Sequence, residues 1–327
     1  MVHPGSVRHR TLGGHTLSHV STPTSAPPQP ASTHILGRWV RPILVANLVA
    51  EVGIVVTGGI VRLTGSGLGC STWPECQPGS FTPVRTSASE YHDLVEFGNR
   101  TLTGVLAVLA VLSVWAVVST WPERRRLHLV AYGVLLGVVA QAVVGGITVR
   151  TGLNPWTVMF HFLVSMVLIG LSTTLVRGAQ DDESGPGELT VHPLAHRLSW
   201  ATAGVGLVVL ALGVVVTGSG PHSGDADTPA RTGFEPRFVS WMHADAVMLF
   251  VGLVIATIVA VRLTSTTART KRVWDVVLYV TVAQGFVGYA QYFAGLPELL
   301  VLLHMLGASL LVVALTRGIL ETRRLPV

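Results

Sequence analysis

The sequence predicts an all-α integral membrane protein with eight transmembrane helices, arranged as two parallel four-helix-bundle repeats. Three observations support this fold class. Eight long apolar runs divide the chain. Charged residues make up only 12% of it, whereas a soluble domain usually has about 25%. Short motifs also recur at matching places in its two halves.

The apolar runs lie at roughly 42–60, 101–119, 129–149, 157–176, 198–217, 246–261, 276–294 and 299–316. A helix needs about 20 residues to cross the hydrocarbon core, and the two shorter runs reach this length when polar flanks are included. Transmembrane strands would instead show short segments of alternating hydrophobicity. The runs therefore predict helices that cross a lipid bilayer.

The basic residues predict the orientation of these helices. With the N-terminus inside, only six of the 22 Lys and Arg residues lie on the outer side: Arg62, Arg85, Arg100, Arg150, Arg231 and Arg237. This asymmetry follows the positive-inside rule, so we expect a multi-pass protein of the cell membrane with both termini in the cytoplasm. The net charge of +5 is then a topology signal, and no nucleic-acid partner is predicted.

Composition divides the chain into five segments. Residues 1–38 are rich in Pro, Ser, Thr and His, which predicts a disordered cytoplasmic tail. An acidic, glycine-containing stretch predicts a cytoplasmic linker at 179–196. The linker separates a four-helix half at 39–178 from a second at 197–320, and residues 321–327 form a second cytoplasmic tail.

The two halves share motifs in the same register. Gln141 stands 20 residues before His161, and Gln284 stands 20 residues before His304. The sequence Val-Val-Thr-Gly ends the first apolar run of each half. Because each half has an even number of helices, the predicted duplication is parallel rather than inverted.

The only two cysteines, Cys70 and Cys76, lie in the first predicted outer loop. An outward-facing loop is in an oxidising compartment, which favours a disulfide. Two free thiols or a metal pair are the alternatives, although zinc usually takes four ligands.

Three of the 13 histidines lie in or beside predicted membrane helices: His161, His243 and His304. Ionisable residues inside a membrane are unfavourable and are functional candidates for that reason. The predicted topology puts all three toward the outer face. His243 and His304 then form a pair of axial ligands for one haem iron between two helices. The alternative is that they hydrogen-bond to neighbouring helices.

The N-terminal half offers a single histidine, His161, because Asn99 stands at the position of the second ligand. Asparagine is a poor iron ligand, so we expect a haem with one axial ligand beside a carboxylate. His92, Glu96 and Asn99 are spaced to share one helical face over this site. Glu96 is the candidate catalytic residue, and its alternative role is to cap the helix or to pair with Arg100.

These motifs resemble the haem A synthase family. The resemblance rests on the Cys-x5-Cys loop, the Glu-x-x-[His/Asn]-Arg entry to the second helix and the histidines of two four-helix halves, and it covers about residues 39–320. It implies that haem O is the substrate and that its C8 methyl group is oxidised to a formyl group, which gives the haem A of cytochrome oxidases.

The resemblance also implies roles for individual residues. It implies that His243 and His304 bind a haem b and that His161 binds the substrate haem. It also implies that Glu96 is the catalytic carboxylate and that Cys70 and Cys76 form a disulfide. A haem O synthase and an electron acceptor are the implied partners. Many members have histidine where Asn99 stands, so we expect a five-coordinate substrate haem here, with His92 as the other candidate for the missing ligand.

Two other classes of function remain as alternatives. A cytochrome-b-like electron carrier without a substrate would hold equivalent haems in both halves, and the difference at Asn99 argues against it. A transporter with histidine proton relays would have Gly- or Pro-broken helix pairs at the membrane midplane.

Four further charged residues have two interpretations each. Glu51, in the middle of the first helix, either forms an interhelical hydrogen bond or relays protons. Arg62, Arg100 and Arg150, at the outer face, either bind haem propionates or extend to the membrane surface.

Overall fold

The computed structural model describes residues 32–84, 91–180, 188–225 and 229–324. Its helices are α1 (Ser32–Leu63), α2 (His92–Thr120), α3 (Arg125–Arg150), α4 (Pro155–Gly178), α5 (Pro193–Ser219), α6 (Pro236–Thr264), α7 (Ala268–Phe293) and α8 (Glu298–Leu320). Strands β1 (Glu188–Leu189) and β2 (Arg323–Arg324) pair antiparallel. All eight helices are long and apolar enough to cross a membrane. The predicted helical membrane protein with eight transmembrane helices is confirmed.

Local sequence explains where several helices begin. Pro155, Pro193 and Pro236 occupy the first positions of α4, α5 and α6, where a backbone N–H has no partner inside the helix. Asn154 caps α4, because its Oδ1 accepts a hydrogen bond of 3.0 Å from the Trp156 N–H.

The first helix begins at Ser32, before the predicted boundary at residue 39. Residues 32–38 therefore belong to α1 and not to the tail. The remainder of the predicted disordered tail, 1–31, lies outside the described residues, as do residues 181–187 of the predicted linker.

The helices form two neighbouring groups of four. Helix α1 packs on α2 and α4, and α3 packs on the same two helices, so α2 and α4 lie at diagonal corners. Helices α5 to α8 repeat this order, with α6 and α8 on the diagonal. We call the end that carries Cys70 and Cys76 the disulfide end and the other the linker end. The internal duplication stays a prediction.

Apolar packing is concentrated away from the disulfide end. The buried residues of the first group include Val40, Leu44, Val134, Val138 and Leu175. Those of the second group include Phe250, Val254, Val261, Trp274 and Leu315. Both clusters lie in the middle or the linker-side half of their helices. Since lipid is as apolar as these side chains, close packing rather than water exclusion holds the helices together.

A seam joins the two groups. Helix α8 packs on α1 and α4, and α4 also packs on α5. Val55, Met166 and Ile169 are buried there. At the linker end, buried Glu321 accepts ion pairs from Arg177 at 2.8 Å and from Arg269 at 3.0 Å, which ties α4 and α7 to the end of α8.

Candidate functional site

Three histidines lie at a similar depth near the disulfide end. His161 is the seventh residue of α4, His243 the eighth of α6 and His304 the seventh of α8. All three helices begin at the disulfide end. With a rise of 1.5 Å per residue, each histidine lies roughly 10 Å along its helix. The structure therefore places the predicted ligands in one layer.

The two histidines of the second group each pack against a glycine on a neighbouring helix. A Cβ atom on Gly213 of α5 would lie 3.2 Å from Cε1 of His243, and one on Gly288 of α7 would lie 3.3 Å from Cε1 of His304. Any larger residue would crowd the imidazole. These glycines therefore set how closely the helices approach and where the rings stand.

The histidine of the first group is held in the same way. A Cβ atom on Gly145 of α3 would lie 3.5 Å from Cε1 of His161. Gln141 Nε2 donates a hydrogen bond of 2.8 Å to the His161 carbonyl, and Gln284 donates one of 3.0 Å to the carbonyl of His304. The 20-residue spacing in the sequence thus reflects a bond between adjacent helices.

The ring nitrogens of these histidines are available to a ligand. Nδ1 of His161 and Nδ1 of His304 are buried without a hydrogen-bond partner. Nδ1 of His243 donates to the Val209 carbonyl at 3.1 Å, which leaves its Nε2 with a lone pair for a metal. A buried polar atom without a partner costs about 1–3 kcal/mol, and a bound ligand would remove that cost.

His243 and His304 are suited to hold one iron between them. They lie on the diagonal helices α6 and α8, and their imidazoles interact electrostatically. Within the described ranges, no three His, Cys, Asp or Glu side chains converge to hold a bare metal ion. Two imidazoles are enough for an iron whose other four ligands come from a porphyrin. The residues present therefore fit a haem.

The first group has only one such ligand. Asn99 Oδ1 accepts a hydrogen bond of 2.7 Å from Thr57 Oγ1 on α1. Gly53 lies one turn before Thr57 on α1, at the position that corresponds to Gly213 on α5 of the second group. A Cβ on Gly213 would meet a histidine ring, whereas one on Gly53 would meet nothing within 4 Å. The first group thus has open space on α1 at the position that corresponds to the Gly213–His243 contact, where its second imidazole is missing.

Glu96 is buried, and its carboxylate has partners. Its Oε2 accepts a hydrogen bond of 2.7 Å from the Cys70 N–H, and its Oε1 lies 2.5 Å from Arg100 Nη2. The pairing with Arg100 that the sequence offered as an alternative is therefore present. Glu96 fixes the disulfide loop to α2, and its catalytic role stays a prediction.

The predicted disulfide between Cys70 and Cys76 is confirmed. Arg100 organises this loop, because it donates hydrogen bonds to the carbonyl groups of Cys70 (3.1 Å), Thr72 (2.8 Å) and Glu75 (3.2 Å). The loop is therefore a fixed cover over the end of the first group.

The sequence analysis missed a contact between the disulfide loop and α3. The Trp73 ring lies where a side chain on Gly146 would otherwise stand. Arg150 Nη2 donates to the Trp73 carbonyl at 3.0 Å. Two adjacent glycines were the sequence feature that could have indicated this contact. Gly145 faces the His161 ring, and Gly146 faces the Trp73 ring.

His92 and Glu51 are two further candidates. His92 Nδ1 is hydrogen-bonded to Ser66 Oγ at 2.8 Å, in the loop region above the first group. Glu51 is buried, and its Oε1 has no hydrogen-bond partner among the described residues. Asn47 of the same helix donates a hydrogen bond of 3.0 Å to Ser172 on α4. Both interpretations of Glu51 stay open.

Comparison with known proteins identifies the family. Residues 41–316 match the family described as cytochrome oxidase assembly protein, COX15-CtaA. A heme A synthase of Lysinibacillus sphaericus is 30% identical over 134 residues, which are 40% of the chain and 41% of the relative. A heme A synthase of Geobacillus kaustophilus is 29% identical over 142 residues, which are 42% of each protein. One of Bacillus licheniformis is 25% identical over 280 residues, which are 80% of the chain and 88% of the relative.

The matched segments cover less than half of the first two relatives, whereas the family match extends through all eight helices. By this match, the chain belongs to the COX15-CtaA family of cytochrome oxidase assembly proteins.

Proposed function

We propose that this chain is a haem A synthase, which oxidises the C8 methyl group of haem O to a formyl group and so gives haem A for cytochrome oxidase. The observation that carries the proposal is the difference between the two groups of helices. The second has two imidazoles on diagonal helices, and the first has one imidazole and open space at Gly53, where the second imidazole is missing. Membership of the family supports the same activity.

The second group holds the resident cofactor in this proposal. His243 and His304 would hold a haem b, which would supply one-electron transfer when bound. The Val209 carbonyl orients the His243 ring, and Gly213 and Gly288 limit how far either ring can move. Ligation from both sides keeps this haem in place through repeated turnovers.

The first group holds the substrate. His161 binds the iron of haem O on one side only, because Asn99 is engaged by Thr57 and His92 by Ser66. A single protein ligand suits a substrate that must leave after it has been converted.

Glu96 is the proposed catalytic carboxylate. Its position on α2 brings a carboxyl group to the disulfide end of the first group, where it is paired with Arg100. A carboxylate at the edge of the substrate can accept a proton from the reacting carbon or stabilise positive charge there. The buried setting strengthens either effect because little water competes.

The proposed reaction implies partners and a location. Conversion of a methyl to a formyl group replaces two hydrogen atoms by one oxygen atom. With water as the oxygen donor, the electrons pass to an acceptor and the protons to solvent, so an electron acceptor is required, and a haem O synthase would supply the substrate. The excess of basic residues at the linker end supports a cell-membrane protein with both termini in the cytoplasm.

Extraction of the bound pigments tests the function. The purified protein should yield haem B together with haem O or haem A. Haem B alone, in two equivalent low-spin sites, would instead support a cytochrome-b-like electron carrier. Protein without any haem would refute both.

Paired variants test Glu96. Glu96→Gln should keep haem b but make little or no haem A, because the charge is lost while the size is kept. Arg100→Gln also breaks the ion pair and loosens the loop, but it leaves the carboxylate. If both variants lose haem A synthesis equally, Glu96 acts only by holding the loop.

A further inference from the structure

Three arginines near the disulfide end have different partners. Arg100 and Arg150 donate to carbonyl groups of the disulfide loop, within the first half of the chain. Arg62, in the last turn of α1, crosses the seam. Its Nη2 donates a hydrogen bond of 2.6 Å to the carbonyl of Thr217 on α5. Arg62 is therefore the arginine that links the two halves at this end.

Among the described residues, no carboxylate pairs with the guanidinium of Arg62. None of the ion pairs formed between described residues includes it, and its Nε is buried without a hydrogen bond. A buried cation without a counter-charge is unfavourable. The position therefore favours an anionic ligand.

His222 lies near Arg62 and does not compete for that ligand. It stands five residues after Thr217, as Arg62 stands five residues after Thr57. Burial, followed by the positive charge of Arg62, lowers the pKa of His222 from its usual value, although Glu298 opposes this shift. His222 is therefore neutral at pH 7, and Arg62 supplies the positive charge.

The location of Arg62 fits the carboxylates of a haem in the second half. Thr217 lies one turn beyond Gly213 toward the disulfide end, and its hydroxyl donates to the Gly213 carbonyl at 2.8 Å. Gly213 is the residue against which His243 packs. Arg62 thus lies about one helical pitch, roughly 5 Å, beyond the level of the iron ligand. The carboxylates of a porphyrin hang from one edge of the ring and lie farther from the metal than this one pitch, so they can reach the level of Arg62.

Helix α1 also contacts the helix of the second ligand. Gly59, one turn before Arg62, lies against Met305 and Leu302, which flank His304 on α8. The last turn of α1 thus contacts α8 through Gly59 and α5 through Arg62.

We infer that Arg62 binds a propionate of the haem held by His243 and His304, so that the first half of the chain completes the haem site of the second half. This inference rests on the proposed function, because that function supplies the haem. It assigns Arg62 to binding and not to the oxidation itself.

The test compares Arg62→Gln and Arg62→Lys with the wild-type holoprotein. Arg237→Gln is the matched control, because Arg237 is an exposed arginine at the same end that stacks on Trp241. Resonance Raman spectroscopy reports the bending mode of the haem propionates, and a redox titration gives the midpoint potential of haem b. Neither readout depends on haem A synthesis.

In Arg62→Gln the propionate mode should shift and the midpoint potential should fall, because an uncompensated carboxylate stabilises ferric iron. Arg62→Lys should show smaller changes in the same direction, and the control should show none. An unchanged propionate mode in Arg62→Gln overturns the inference. If that variant does not fold, an unchanged mode in Arg62→Lys does so. Wild-type protein without haem on His243 and His304 refutes the proposed function instead.

Discussion

The glycines beside the histidines give a quantitative prediction. Gly288→Ala adds one methyl group at a point 3.3 Å from Cε1 of His304. Carbon atoms pack at about 3.5–4.0 Å, so the ring must move by a few tenths of an ångström or α7 must retreat. The movement displaces the ring nitrogen that would bind the iron.

The expected effect is moderate. Overpacking usually costs about 1–3 kcal/mol, whereas alanine in place of glycine inside a helix gains about 1 kcal/mol. The net loss in the haem-bound state is therefore about 0–2 kcal/mol, which weakens haem binding by up to roughly 30-fold. Gly213→Ala, where the contact is 3.2 Å, should show an effect at least as large.

Haem content per protein and the electron paramagnetic resonance spectrum of the low-spin haem provide the assay. Gly285→Ala is the control, because it lies on the same helix and a Cβ there would meet nothing within 4 Å. It should leave the spectrum unchanged and the thermal stability equal or higher. Gly288→Ala with unaltered haem content and spectrum would show that the glycine does not position His304.

Three further predictions concern stability and orientation. Glu321→Gln should lower the free energy of unfolding by about 3–5 kcal/mol, since it removes the buried carboxylate that pairs with the buried Arg177 and with Arg269. Asp275→Asn, at an exposed pair, should leave the melting temperature unchanged. Replacement of both Cys70 and Cys76 by serine should lower the free energy of unfolding by about 2 kcal/mol and speed amide hydrogen exchange in the disulfide loop. Unchanged exchange would contradict the role of the disulfide in holding this loop over the first group. Phe81→Cys should react with an impermeant thiol reagent on intact cells and Arg125→Cys should not, because the basic residues place them on opposite sides; labelling of Arg125→Cys would reverse the topology.

Apolar runs were enough to predict the membrane helices but not their ends. Helix α2 begins at His92, although its apolar run begins near residue 101. The first turns of this helix carry polar side chains such as Glu96, which are buried because the disulfide loop covers them. A hydropathy pattern has no information about such a cover, so it places the boundary too late.

Site residues were predictable where their partners follow from regular helix spacing. The 20-residue spacing between glutamine and histidine in each half reflects a repeated contact between adjacent helices. The partners of the arginines were not predictable. Arg62 and Arg100 look equivalent in the sequence, yet one reaches across the seam and the other holds the loop. Such choices depend on the path of irregular loops.

The placement of the two apolar clusters has a consequence for the exchange of a large ligand. The packed side chains around Val134 and Phe250 lie away from the histidine layer. The cohesion of each bundle therefore does not depend on an occupied porphyrin site. Under the proposed function, a tetrapyrrole would enter or leave beside His161 while the linker-end portion of the helices keeps its packing. The part of each bundle that holds the helices together is thus separate from the part that would exchange a large ligand.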